Sequence, residues 1–282
     1  MKNRKAEEQI FRALMLASTL IVVGSLLAVI GVVIVKGAPA LSLSMITQTS
    51  SGGFYLGGAG GILNAIVGSL YLISASISLA FVIGLPVALY LNEYAARNKL
   101  ADFVRLCLDV LYGVPSIVYG AFAFTLMLIL GARASLLWGI ITITMLVIPI
   151  MIRGIDEIIR TVPSKLREAS YSLGATRLQT AFNVIIRQIL PGIVTTVLLA
   201  LGRGIGDAAS VLLTAGYSDS IPTSLNSPVA TLPLAIFFQL STPYPEAQER
   251  AYASAIILLG IIVMLSLSAR FCTSRFSKFV IR

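Results

Sequence analysis

Residues 153–192 read RGIDEIIRTVPSKLREASYSLGATRLQTAFNVIIRQILPG, a charged segment with long apolar runs on both sides. Its six basic residues are Arg153, Arg160, Lys165, Arg167, Arg177 and Arg187. Charged residues make up only 12% of the whole chain. A polar insertion between apolar runs is typical of a loop that joins two membrane-spanning helices outside the lipid. The fold is therefore expected to be organised around this charged segment.

Helix start and stop signals divide the charged segment into two short helices. Pro163 and Ser164 are typical of a helix start, and Gly174 stands where a left-handed C-terminal residue favours the absence of a Cβ. Thr176 can cap a second helix, which we expect to stop at Pro191 because proline interrupts the helical hydrogen bonds. Two short helices joined at a glycine suit contact with another protein, although a loop of this length is more often a solvated connection.

The composition of the chain is that of a membrane protein. Hydrophobic residues make up 57% of the 282 residues, and the mean hydropathy of +0.93 is far above that of a soluble domain. A spanning helix needs roughly 20 mainly apolar residues. Six such windows lie at about 13–35, 63–91, 106–131, 134–152, 190–215 and 251–271. The sequence therefore predicts an all-α, polytopic membrane protein with six transmembrane helices, forming a single domain over residues 1–282.

Basic residues are distributed unevenly between the two sides of these predicted helices. Seventeen of the 21 lysines and arginines fall at the N-terminus, between the second and third windows, in the charged segment and at the C-terminus. The opposite side has only Lys36, Arg133 and Arg250. Because loops rich in lysine and arginine stay in the cytoplasm, both termini and the charged segment are expected to be cytoplasmic. The net charge of +9 then needs no nucleic-acid partner.

The fifth window places two charged residues, Arg203 and Asp207, inside an apolar run. Arg203 is twelve residues past Pro191, which is about 18 Å along a helix and near the middle of a bilayer. A charge there costs on the order of 2.5–3.5 kcal/mol on insertion scales, and Asp207 at i+4 would offset part of it. Ser210 and Thr214 would extend the same helical face. Such a pair either holds the bundle together or marks a substrate pathway, and the second is favoured.

The third window contains a Gly-Val-Pro sequence at 113–115, flanked by the polar residues Tyr112 and Ser116. On one helix these two side chains would share a face. A glycine and a proline inside an apolar window indicate a break in the helix. A pathway lining and a packing kink satisfied by neighbouring helices are equally compatible with this pattern.

The charged segment resembles the EAA-X3-G motif of ABC importer permeases, whose short coupling helix docks on the ATPase subunit. Glu168, Ala169 and Gly174 stand at the spacing of that motif, and Arg167 precedes them. The resemblance implies that these four residues couple the chain to an ATPase. The segment departs from the family pattern farther on, because its Leu-Pro pair at 190–191 comes later than the family's Ile-X-Leu-Pro.

Four stretches together resemble the permease of the bacterial and archaeal phosphate-specific ABC importer. They are GGILNAIVGSL at 60–70, GVPSIVYG at 113–120, the EAA-like loop and RGIGD at 203–207. The family usually has Arg-x-x-Gly-Glu at the last of these, whereas this chain has Asp207 in place of the glutamate. The short N-terminus and the C-terminal region look more like the PstA type of permease than the PstC type.

The resemblance implies a type I ABC importer permease fold and several partners. These would be a second, homologous permease of the PstC type, a dimer of ATP-binding subunits and an extracytoplasmic phosphate-binding protein. The chain has no G-x-x-x-x-G-K-[ST] loop of its own. ATP would therefore be bound by the partner, and the chain would need no cofactor. With no histidine and two cysteines, a zinc site is not expected either.

Other functions remain open from the residues alone. An arginine would attract molybdate or sulfate as readily as phosphate, so the chemistry does not identify the anion. An ion-coupled secondary transporter would normally have internal repeats and several intramembrane carboxylates, whereas Asp207 is the only acid deep in a predicted helix. An intramembrane enzyme would need a nucleophile or a metal site, and no catalytic residue is predicted.

Overall fold

The computed structural model describes residues 2–51, 60–95 and 98–276, with side chains over 7–51, 60–95 and 98–271. Every regular element in these ranges is a helix, apart from one isolated bridge between Ser50 and Gly60. The predicted all-α fold is therefore confirmed. Three residues of the basic clusters predicted to be cytoplasmic, Arg97, Lys278 and Arg282, lie outside the described residues.

Eleven α-helices follow one another within the described ranges. They are α1 (Lys2–Gly37), α2 (Leu43–Thr47), α3 (Leu63–Glu93), α4 (Lys99–Tyr112), α5 (Ser116–Ile129), α6 (Leu136–Arg160), α7 (Ser164–Ser172), α8 (Arg177–Thr180), α9 (Ile186–Ile205), α10 (Leu232–Leu240) and α11 (Pro245–Phe276). A short 3-10 turn (Ala38–Ala40) follows α1, and a π-helical turn (Ala181–Ile185) joins α8 to α9.

Within the described ranges, five helices could cross a membrane by length and composition, or six if one bent pair of helices is a single crossing. Five are long and apolar: Glu7–Ala40, Leu63–Glu93, Leu136–Arg160, Arg177–Ile205 and Pro245–Phe271. The sixth is the pair α4 and α5, which is bent by 102° between Tyr112 and Ser116. Arg105 on α4 binds Asp156 near the end of α6, whereas Ser135, after α5, immediately precedes α6. The pair therefore runs along α6 from end to end, and the six predicted crossings are retained with a bent third crossing.

The centre of the bundle is α6, which packs against α3, α4, α5 and α9. Its side chains Ile143, Val147 and Met151 have no exposed surface. Close packing of this kind leaves little freedom for the neighbouring helices, because interiors are filled to the density of organic crystals. A Cβ added at Gly204 of α9 would lie 3.2 Å from Ile143. The position of α9 is thus fixed by α6.

Residues 206–231 enter the bundle without forming a helix. The helix predicted over 190–215 is wrong at both ends, because Pro191 lies inside α9 and α9 ends at Ile205. In lipid every backbone polar group needs a partner within the protein. The N–H groups at the start of α6, which have no partner in their own helix, supply several. Ser135, Leu136 and Leu137 donate to the carbonyls of Thr214, Ser227 and Leu225 at 2.9, 2.9 and 2.8 Å.

The charged segment forms the end of α6 and a compact unit made of α7, Gly174 and α8, here called the α7–α8 unit (residues 164–180). Gly174 has a φ of +81°, so the predicted left-handed residue is confirmed. Thr176 caps α8 as predicted: its side chain accepts a hydrogen bond from the Gln179 N–H, and the Gln179 side chain accepts one in return. The predicted stop at Pro191 is wrong, because α8 continues through the π-helical turn into α9.

Candidate functional site

Arg203 lies in the last turn of α9. The next residue, Gly204, packs against Ile73 of α3 and Ile143 of α6, both well inside their helices. The predicted depth of Arg203 in the bilayer stays a prediction. The helix ends at Ile205, and the residue that follows, Gly206, is of a type that weakens a helix because its backbone is unrestricted.

The Arg203 side chain is exposed and lines a cavity of about 290 Å³. The other lining residues are Leu111, Tyr112, Leu146, Ile150 and Leu199. Over the described ranges Arg203 makes no ion pair and no hydrogen bond. Its guanidinium group therefore has all its donors free to bind an anion.

A second cavity, of about 430 Å³, continues from the first toward the charged segment. The two cavities share Tyr112, Ile150 and Leu199. The second is also lined by Arg153 and by the exposed acids Asp109 and Glu157. One continuous wall therefore leads from the last turn of α9 to the end of α6.

Asp207 does not lie on this wall. It stands beyond the end of α9, where its carboxylate accepts a hydrogen bond from the Ser210 N–H at 3.0 Å. It lines a separate cavity of about 10 Å³ together with Ser69 and Thr231. The prediction that Asp207 shares a helical face with Arg203 is wrong, because the i+4 relation holds only while the helix continues.

Ser210 and Thr214 are fully buried and line neither of the two larger cavities. The Thr142 hydroxyl donates to the Thr214 hydroxyl at 3.0 Å, which ties the non-helical segment to α6. The Ser210 Oγ has no hydrogen-bond partner among the described residues. The predicted polar stripe on one helical face does not form, since residues 206–215 are not helical.

Tyr112 and Ser116 lie on opposite sides of the bend between α4 and α5. Tyr112 is exposed and lines both larger cavities, whereas Ser116 is half-buried at the first position of α5. They do not share a helical face, because the two helices meet at 102°. The Tyr119 hydroxyl donates to the Leu111 carbonyl at 2.8 Å and so ties α5 back to α4. The bend thus brings the start of α5 close to Tyr112.

A charged cluster at the end of α6 was not predicted from the sequence. Asp156 is fully buried and forms ion pairs with Arg105, Arg153 and Arg160 at 3.1, 3.2 and 3.2 Å. The Asn92 side chain adds a hydrogen bond at 2.7 Å. The arginines at i−3 and i+4 were visible as a helical pattern. Arg105, from a different helix, could not be paired with Asp156 by spacing.

The four residues predicted to couple the chain to an ATPase have two different orientations. Glu168, Ala169 and Gly174 are exposed on the outer surface of the α7–α8 unit, beside Leu173, whose exposed fraction is 89%. Arg167 instead points toward the bundle and binds Glu93 at 3.1 Å. Three of the four residues are therefore exposed on the α7–α8 unit, and the fourth is turned toward the bundle.

Residues 80–278 match the family described as "Binding-protein-dependent transport system inner membrane component". The probable ABC transporter permease protein YqgI of Bacillus subtilis is 30% identical over 95% of this chain and 95% of its own length. The phosphate transport system permease protein PstA of Haemophilus influenzae is 31% identical over 95% of this chain and 94% of its own. PstA 1 of Mycobacterium tuberculosis is 35% identical over 77% and 72%.

Two solved structures have a similar fold. The MetNI methionine ABC transporter, in an inward-facing conformation, gives a TM-score of 0.63 at 20% identity over 76% of this chain and 97% of that one. A bacterial alginate ABC transporter, solved with a periplasmic protein that binds an alginate pentasaccharide, gives 0.67 at 13% identity over 98% and 97%. At these identities the likeness establishes the architecture.

Proposed function

Because the chain belongs to the family of binding-protein-dependent transport system inner membrane components and is an ABC importer permease, we propose that it moves inorganic phosphate into the cell. The anion is suggested by the relatives named PstA, which match most of the chain at 31–35% identity. In this proposal the chain is one membrane-spanning subunit of an ATP-driven importer.

The observation that carries the proposal is Arg203, which has no ion pair among the described residues and lines a cavity of the bundle. A guanidinium group can hold two phosphate oxygens at once through parallel N–H donors. No acid neutralises Arg203 within the described residues, so an anion would not have to displace a partner. Tyr112 lines the same cavity and can add a hydroxyl contact.

Release toward the cytoplasm would follow the wall shared by the two cavities. The guanidinium of Arg153 at its far end already binds Asp109, Asp156 and Glu157. An anion leaving Arg203 would therefore meet no second free guanidinium of this wall. Arg203 has no acidic partner among the described residues, whereas Arg153 has three. We propose that the anion therefore binds at Arg203 and leaves without binding again at Arg153.

Two exposed surfaces suggest where partner proteins would bind, namely the cavity wall and the α7–α8 unit. Arg203 and Tyr112 are exposed in the single chain, so we propose that a second, PstC-type permease closes the pathway from the other side. The exposed surface around Gly174 would dock on one of two ATPase subunits. An external phosphate-binding protein would deliver the anion, and both termini would lie in the cytoplasm.

Uptake of radiolabelled phosphate into vesicles that contain the full complex tests the proposal. We predict that Arg203→Gln lowers uptake by at least about tenfold, because a charge-assisted contact to the anion is lost. Arg203→Lys should retain part of the uptake, since it keeps the charge without the planar pair of donors. Arg133→Gln is the matched control, an exposed arginine in the turn before α6, and should transport at the parental rate.

Two results would contradict the proposal. One is an Arg203→Gln complex that assembles and transports phosphate as fast as the parent. The other is a parental complex that imports labelled molybdate or sulfate but not phosphate, which would assign the site to another oxyanion.

A further inference from the structure

The α7 helix is attached to the bundle by few side chains. None of its nine residues is buried. Leu166 packs half-buried against the core, and Ser170 bonds Thr180 of α8 at 2.8 Å. Among the described hydrogen bonds, all those from α7 side chains to α3 and to the end of α6 come from Arg167.

The guanidinium of Arg167 makes three contacts at once. Its Nε donates to the Glu93 carboxylate at 3.1 Å, at the last residue of α3. Its two terminal nitrogens donate to the carbonyls of Val162 and Ile159 at 2.9 and 3.1 Å. These carbonyls belong to the end of α6 and the turn that follows, where the regular i+4 backbone donors are missing. Arg167 therefore joins α7 to two central helices.

Glu93 receives a second arginine from the other half of the α7–α8 unit. Arg177 of α8 donates to the Glu93 carbonyl at 3.2 Å, and its guanidinium lies over the Tyr94 ring at 5.8 Å. The Glu93 side chain is only 3% exposed. The end of α3 is thus held by arginines from both sides of Gly174.

We propose that Glu93 and Arg167 form a strut that transmits movement of the α7–α8 unit to α3 and α6. The inference rests on the proposed coupling of this unit to an ATPase. A displacement of α7 would pull directly on the last residue of α3 and on the last turn of α6. The same two helices pack around Gly204, next to Arg203. Arg167 is in this view a positioning residue that faces inward, while Glu168, Ala169 and Gly174 face the partner.

The test uses the full complex with its own ATPase subunits, reconstituted in vesicles. Arg167→Gln and Glu93→Gln should each lower the phosphate imported per ATP hydrolysed by at least about tenfold. The reason is that the ion pair between Arg167 and the buried Glu93 holds α7 to α3. The amount of ATPase that co-purifies should stay at the parental level, since Glu93 is buried and Arg167 faces inward. Arg167→Lys should give an intermediate loss, because an ammonium cannot make the three contacts of the fork.

Lys165→Gln is the matched control, since Lys165 is exposed on the same helix and makes no ion pair in the described part of the chain. It should keep the parental ratio of import to hydrolysis. An equal loss in Lys165→Gln would overturn the strut, as would parental coupling in Glu93→Gln. Loss of the ATPase subunits from the Arg167→Gln complex would also overturn it, because Arg167 would then be a docking residue.

Failure of the proposed function would look different. A parental complex that imports no phosphate contradicts phosphate as the cargo. The strut is then tested by the stimulation of ATP hydrolysis by the external binding protein, which Arg167→Gln and Glu93→Gln should lower and Lys165→Gln should not. Parental stimulation in Glu93→Gln would overturn the strut.

Discussion

The ion pairs around Asp156 depend on its negative charge. It has no exposed surface and binds three arginines from two helices. A buried carboxylate is stable only when ion pairs and hydrogen bonds replace water. Removing this one charge leaves the buried Arg105 without its main partner.

We predict that Asp156→Asn destabilises the chain by about 3–5 kcal/mol, the usual cost of breaking a buried ion pair from one side. Glu157→Gln is the control on the next residue. Glu157 is 67% exposed and has one contact at 3.4 Å, so its loss should cost less than about 1 kcal/mol. Thermal unfolding of both variants in detergent measures the difference. Equal melting temperatures would show that Asp156 is not required for stability.

At the same scale, the presence of Arg203 in a long apolar helix could be predicted from the sequence, but its surroundings could not. The helix follows from the apolar residues on both sides of the charge. Asp207 could be the partner of Arg203 only if the helix continued to residue 207. Where the helix ends depends on contacts with another part of the chain. Gly206 weakens a helix, but Gly202 and Gly204 stand inside α9, so glycine alone does not mark the helix end. The N–H groups at the start of α6 offer their backbone another set of partners.

Among the elements, the α7–α8 unit was predicted best because its signals are local. A start at Ser164, a left-handed Gly174 and a cap at Thr176 each depend on neighbours within four residues. The bend between α4 and α5 was only partly predictable. The glycine and proline at 113–115 indicated a break, but an angle of 102° depends on how α5 packs. A Cβ at Gly120 would lie 2.5 Å from the Ser210 carbonyl oxygen, so α5 is held tightly against the non-helical segment.

The turn at Gly174 gives a prediction at the level of the element. Gly174→Val should uncouple ATP hydrolysis from import, because a β-branched residue is strained at a φ of +81°. Nothing lies within 4 Å of an added Cβ, so the effect would come from the backbone alone. Gly174→Asn should therefore be tolerated better than valine.

Gly131 supplies the control for this turn. It also has a positive φ, of +64°, and open space around it, but it lies in the turn before α6. Gly131→Val should carry a similar backbone cost without loss of coupling. Import per ATP hydrolysed is the measurement, and equal uncoupling in both valine variants would remove the special role of Gly174.

For the whole molecule, the number of crossings determines on which side each loop lies. The basic residues predicted cytoplasmic termini, and a bent third crossing keeps the even number that this requires. We predict that Arg133→Cys, in a background without the native cysteines, reacts with an impermeant thiol reagent in intact cells. Lys165→Cys should react only after permeabilisation, because the distribution of basic residues predicts that it lies on the cytoplasmic side. Labelling of both in intact cells would mean that the region between them does not cross the membrane as described.

The guanidinium of Arg203, which has no partner among the described residues, also affects the insertion and the lifetime of the chain in the membrane. A subunit inserted alone would present this charge toward lipid, with an unfavourable free energy on the order of 2.5–3.5 kcal/mol. A second permease that covers Arg203 would remove this unfavourable term. The change corresponds to about a hundredfold in the association constant of the two permeases. A copy of the chain without its partner permease would therefore be less stable in the bilayer and would be degraded more readily by membrane proteases. On the proposed function, the residue that recognises the cargo would also favour synthesis of the two permeases in equal amounts.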